Sequence, residues 1–137
     1  MVPTRRDVLR LGAAAAVLLP AGAARASNRV PEAIAAFTGG AAPAEGGVRL
    51  DVPEIADNGG AVPVRVAAPG ARRIALFADG NPRPRVAVFR FGALVPPDAR
   101  TRIRLAKSQN VIAVAEMADG SFRRASRKIA VTVGGCG

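Results

Sequence analysis

The chain has 137 residues, half of them hydrophobic but only 4% aromatic, and its 20 basic and 10 acidic residues leave a net charge of +10. That length suits one domain with a packed core. The composition lacks Trp, Tyr and His and holds a single Cys, so no Ser-His-Asp or Cys-His arrangement can be built, a structural zinc site within one chain lacks its usual ligands, and any metal would be held by carboxylates or shared between chains.

The N-terminus reads Thr4-Arg5-Arg6-Asp7-Val8-Leu9-Arg10, then an apolar run from Leu11 to Pro20, then Ala24-Arg25-Ala26. A basic start, a short apolar centre and an A-x-A end are the parts of an export signal. The run is too short to span a bilayer, which takes about 20 apolar residues. The paired arginines resemble a twin-arginine signal, whose cargo crosses folded, with Thr4 and Val8 where Ser and Phe are usual. The expectation is therefore a signal over 1–26, cleavage after Ala26, a periplasmic location reached by the twin-arginine route, and no membrane segment in the mature form. Four arginines and one aspartate lie in this segment, which thus carries three of the ten net positive charges. The other basic residues lie along alternating patterns with no Tyr or Trp among them as stacking platforms, which argues against nucleic-acid binding. Arginines on strand edges also suppress sheet-to-sheet aggregation, and that accounts for most of them.

Residues 27–47 read as a short helix near Val30 to Phe37 and a linker rich in Ala, Pro and Gly. Residues 48–133 then follow a period of two. Val62-Pro63-Val64-Arg65-Val66 alternates, and Pro63 suits an edge strand. Ile74–Phe77 and Val86–Phe91 flank the turn Asp79-Gly80-Asn81-Pro82. Thr101-Arg102-Ile103-Arg104-Leu105 puts arginines on one face and aliphatics on the other. Val111–Glu116 leads into Ala118-Asp119-Gly120-Ser121, a hairpin turn of the Asp-Gly kind, and Lys128–Val133 runs into the tail. About seven short strands at this spacing predict an all-β, immunoglobulin-like antiparallel sandwich without the Cys–Trp–Cys core. Val86-Ala87-Val88 and Val111-Ile112-Ala113 are either core or a partner-binding face.

Residues 134–137 are Gly134-Gly135-Cys136-Gly137. Glycine on both sides leaves the thiol without packing neighbours, so it is expected on a flexible arm reachable by other molecules. A single cysteine in an exported protein points to pairing between molecules or to a reactive thiol. Fully extended, a three-residue arm reaches about 10 Å, enough to enter a cleft. The tail offers no cation or helix N-terminus, and a terminal carboxylate beside it opposes a second negative charge. Cys136 is therefore expected to lack strong intrinsic activation and to gain reactivity from the enzyme that binds it. The alkylation rate measured against pH checks this, and a titration well below that of free cysteine would contradict it. Three roles fit such a thiol: a substrate attachment point, a structural interchain disulfide in a secreted binding module, or the nucleophile of a sulfurtransferase acting alone.

Val131-Thr132-Val133-Gly134-Gly135-Cys136-Gly137 resembles the tail of the SoxY sulfur carriers of the bacterial thiosulfate-oxidising (Sox) system. Pro53–Gly59, Phe77–Pro82, Arg102–Val111 and Val114–Phe122 resemble segments of the same family. The family pattern closes with a further glycine after Gly137. The resemblance implies a covalent carrier and not an enzyme: Cys136 is the attachment point, Gly134, Gly135 and Gly137 form the swinging arm, and there is no metal and no cofactor. It also implies a heterodimer with a SoxZ-type β-sandwich subunit. A c-type cytochrome would conjugate thiosulfate to the cysteine as an S-thiosulfonate. A hydrolase and a sulfur dehydrogenase would complete the oxidation to sulfate.

Overall fold

The computed structural model describes residues 29–132, which form one helix and nine strands. Helix α1 (Val30–Thr38) has Pro31 in its first turn, where a fixed φ suits the helix, and Glu32 near its positive end. It stops at Gly39, a left-handed residue (φ 69°), where the Gly40 N–H donates to the Ala35 carbonyl at 3.0 Å. Three very short strands follow, β1 (Ala44–Glu45), β2 (Arg49–Asp51) and β3 (Ile55–Ala56). Six longer ones come after them: β4 (Val62–Ala67), β5 (Ala71–Ala78), β6 (Arg85–Arg90), β7 (Asp98–Ile103), β8 (Gln109–Met117) and β9 (Phe122–Val131).

Two sheets face each other. The larger has the order β1-β9-β8-β5-β6, with β3 also against β9, and the smaller has the order β2-β4-β7. The predicted hairpins are present: β5 pairs antiparallel with β6, and β8 with β9 across a turn in which Gly120 takes φ 86°. The sheet is not wholly antiparallel, because β1 and β3 both lie parallel to β9, at Arg123–Arg124 and at Ala130–Val131. Strand β1 falls inside the stretch read from the sequence as linker. Pro63 is on the middle strand of the small sheet, but β2 pairs only with Arg65–Ala67, so β4 is an edge at the proline itself.

Between the sheets lie Leu50, Val62, Val64, Val66 and Ile103 from one side and Ile74, Leu76, Val111, Ala113 and Ile129 from the other. The opposite face of the large sheet is covered by α1, with Val30, Ile34 and Phe37 packed on Ala75, Phe77, Ile112 and Val114. Strands β5 and β8 are therefore buried on both faces, which is why Ile74–Ala78 and Val111–Ala115 are continuous apolar runs rather than alternating ones. Val111, Ile112 and Ala113 are thus core and present no binding face. Val86, Ala87 and Val88 are half-buried on β6, an outer strand of the large sheet. The end of α1 is fixed by the Arg73 guanidinium, 4.4 Å from the centre of the Phe37 ring and ion-paired with Glu116.

Candidate functional site

The proposed attachment point Cys136 and the arm glycines Gly134, Gly135 and Gly137 lie outside the described residues. The structure describes the base from which they continue. Strand β9 is held on both sides as far as its last residues. On one side, the Ala130 N–H donates to the Glu54 carbonyl (2.9 Å) and the Thr132 N–H to the Ala56 carbonyl (3.1 Å). On the other, the Ser108 hydroxyl accepts from the Val131 N–H at 2.8 Å and donates to the Val131 carbonyl at 3.4 Å. Gly59 closes the base from the core side. A Cβ there would lie 2.6 Å from the Leu105 carbonyl oxygen and 2.9 Å from a Val131 methyl, so only glycine allows this approach.

Ser108 is itself held by a polar cluster. Gln109, 6% exposed, accepts from the Gly80 N–H (2.8 Å) and donates to the Lys107 carbonyl (2.8 Å) and the Asn81 side-chain oxygen (2.9 Å). Asn81 in turn donates to the Arg104 carbonyl and accepts from the Ala106 N–H. Beside it, Asp79 accepts from both the backbone N–H and the side-chain amide of Asn110, each at 2.8 Å. The β5–β6 turn and the β7–β8 loop are thereby joined into one body, and a buried amide with all these bonds made costs little while one left unpaired costs about 1–3 kcal/mol. Three of the four body segments noted in the sequence, Pro53–Gly59, Phe77–Pro82 and Arg102–Val111, meet at this end. The fourth, Val114–Phe122, forms the β8–β9 hairpin at the opposite end of β8. The supporting roles of Ser108, Gln109, Asn81 and Gly59 were not legible beforehand. Ser108 and Gln109 offered one signal, a hydroxyl and an amide side chain directly before an apolar run, whereas Asn81 was accounted for by its turn and Gly59 carried no signal.

Ser108→Ala removes the acceptor of the Val131 N–H and leaves that end of β9 held by β3 alone. The expected result is a local loosening of about 1 kcal/mol, seen as roughly fivefold faster hydrogen exchange at Val131 with β4 and β5 amides unchanged. Equal acceleration throughout the sheets would show that Ser108 supports the whole fold and not this end of it.

Among the described residues no group of three or more His, Cys, Asp or Glu side chains could hold a metal ion, and no helix is long and apolar enough to cross a membrane. What the geometry provides is a rigid support carried through to Thr132, with four residues from there to Cys136.

The molecule is, by its architecture, a small two-sheet β-sandwich with one covering helix and a C-terminal strand secured to its last described residues. The sequence model of the family described as sulfur oxidation protein SoxY matches residues 34–136. The chain belongs to the SoxY family. Among solved structures it is similar to the sulfur carrier protein SoxY from Chlorobium limicola f thiosulfatophilum, with 38% identity and a TM-score of 0.66 over 77% of this chain and 97% of that one. It is also similar to a superoxide reductase (neelaredoxin) from Ignicoccus hospitalis, at 21% identity and a TM-score of 0.56 over 64% of this chain and 81% of that one. A putative superoxide reductase from Thermotoga maritima matches at 21% identity and a TM-score of 0.55, over 71% and 91%. These last two share the fold alone. The comparison with curated proteins gives no match.

Proposed function

We propose that this protein carries sulfur intermediates covalently on Cys136 and presents them to separate Sox enzymes in the periplasm, after export by the twin-arginine route. The observation that carries the reading is the extent of the family match, which runs through the body and ends on residue 136. The rigid base supports it. Residues 133–136 can extend at most about 14 Å beyond Thr132, so a partner enzyme would take in a thin segment while the sandwich stays outside.

In the loading step, the Cys136 thiolate and the outer sulfur of thiosulfate form an S–S bond, and two electrons pass to a c-type cytochrome partner. Water then attacks the sulfonate sulfur of this adduct on a hydrolase. The S–S bond to that sulfur breaks, sulfate and two protons leave, and a persulfide stays on the cysteine. Oxidation of that outer sulfur to a sulfonate on a sulfur dehydrogenase adds the oxygens of three waters, releases six protons and passes six electrons to the dehydrogenase's electron acceptor, and a second hydrolysis releases sulfate and two protons and returns the thiolate. This chain's part is nucleophile, leaving group and handle. A SoxZ-type subunit, crossing together with the folded chain, completes the carrier.

Mass spectrometry of the protein isolated from thiosulfate-grown cells tests this. Adducts of thiosulfonate or of added sulfur atoms on Cys136 are expected. A disulfide-linked dimer of constant mass would establish the structural-bridge alternative, and thiosulfate turnover by the purified chain alone would establish a sulfurtransferase.

A further inference from the structure

The outward face of the small sheet is strongly cationic. Leu50, Val64, Val66, Ile103 and Leu105 are buried, so the alternate residues Arg49, Arg65, Arg100 and Arg102 point away from the core, with Arg104 just past the end of β7. Two aspartates share the face, and both are already engaged. Asp51 pairs with Arg49 at 2.8 Å, and Asp98 receives two bonds from the Arg65 guanidinium, at 3.1 and 2.7 Å. That fork holds the Asp98 carboxyl below the usual carboxylate range. Among the described residues no carboxylate lies within ion-pair distance of Arg100, Arg102 or Arg104.

Arg100 stands directly opposite Arg65 in the register, and Arg102 opposite Pro63. Like charges facing each other across strands destabilise a sheet, so folding does not call for this placement. A shallow groove of about 470 Å³ runs between the two strands, lined by Pro63, Val64, Arg65, Arg100, Thr101 and Arg102. Strand β7 is also an end strand. It pairs with β4 on one side, and among the described residues no strand pairs with the other.

We propose that β7 is a docking strand for an extended segment of a partner protein that carries acidic side chains at alternate positions. Such a segment would add one strand to the small sheet through backbone hydrogen bonds and set its carboxylates opposite the unpaired arginines, which repeat every second residue. A polypeptide fits better than a nucleic acid, because the free strand edge offers backbone donors and acceptors in a polypeptide's own spacing and no aromatic side chain on this face could stack a base. The location adds a consequence. The loop that follows β7 contains Ser108, bonded to Val131, so a partner seated on β7 would lie beside the base of the arm. The proposal goes beyond the carrier reading and does not depend on it.

The test uses the mature-length protein with Cys136→Ser, which cannot carry sulfur, so its outcome is independent of carriage. The probe is a labelled synthetic decapeptide alternating glutamate and threonine, followed by fluorescence anisotropy. The triple variant R100S/R102S/R104S is expected to bind about tenfold more weakly, three exposed ion pairs acting together. A variant of equal charge loss elsewhere, R85S/R90S/K128S, is expected to change affinity less than about threefold, since only screened long-range attraction is lost. An isomeric peptide with its glutamates clustered at one end should bind more weakly than the alternating one. The pair R100E/R102E should prefer a decapeptide alternating lysine and threonine, which keeps the test valid should the triple variant fold poorly. Absence of peptide binding, equal loss in both triple variants, or displacement of the peptide from β7 by a single-stranded oligonucleotide of the same charge would each overturn the proposal. An unliganded edge guarded by charge against aggregation would give the first of these.

Discussion

Cys136→Ser is expected to abolish sulfur loading completely while leaving the melting temperature unchanged. The two halves of this result have separate causes. Loading needs a thiolate that can form and later break an S–S bond, and a serine hydroxyl does neither at neutral pH. Stability comes from the apolar layers between the sheets and under α1. The base of the arm is secured by Glu54, Ala56 and Ser108, which accept from the backbone N–H groups of Ala130, Thr132 and Val131. Intact-mass analysis after incubation with thiosulfate and the cytochrome partner reads the first half, and calorimetry reads the second. Residual adduct on the serine variant would place the attachment point elsewhere, and a lowered melting temperature would show that the cysteine packs.

The largest stability effect is expected at Phe77. This side chain is fully buried on β5 and meets Phe37 of α1 edge to face, with ring centres 6.2 Å apart. Phe37 makes a second such contact with Phe122 of β9 at 6.1 Å, so the three rings fasten the helix to the middle of the large sheet. Phe77→Ala removes the ring in this layer that is carried by a central strand, and strands β6 and β8 on either side limit collapse into the space. The expected cost is about 3–5 kcal/mol. Against a typical domain stability of about 5–15 kcal/mol, that is a large share. For a domain of this size the melting temperature should fall by more than about 10 °C. Denaturant melts would show the loss as a lower midpoint with little change in slope. A cost below about 1 kcal/mol would mean that α1 contributes little to the fold.

What could be read from the sequence was what is local. The turn at Asp79–Pro82 and the turn at Asp119–Gly120 each join strands adjacent in the chain, so their residues alone specify the hairpins. The helix near Val30 to Phe37 was legible too, ending where the linker rich in Ala, Pro and Gly begins. Strands β1 and β3 were not, because two residues carry no alternation and their hydrogen bonds come from β9, far along the chain. The ambiguity of Val111-Ile112-Ala113 had a related origin. Alternation marks a strand with one wet face, and β8 has none, since α1 covers the second face. Pro63 fitted an edge for a sound reason, yet the edge is local to one end of a middle strand. For the proposed site, the thiol and its glycines were singled out by composition and position, and they lie outside the described residues. The cluster of Asn81, Ser108 and Gln109 was not, since its bonds join loops far apart in sequence.

The order in which β9 acquires its neighbours bears on biosynthesis. Translation delivers the N-terminal segments first, so β1 and β3 wait unpaired until Phe122–Val131 has been made, and β8 keeps an open side for as long. A chain stopped short of Phe122 cannot close its larger sheet. The completed sandwich is therefore a record of how far synthesis has gone: a molecule that has folded has been translated to within five residues of its only cysteine. An export route that accepts only folded cargo would, in this chain, also pass over truncated products that lack the thiol.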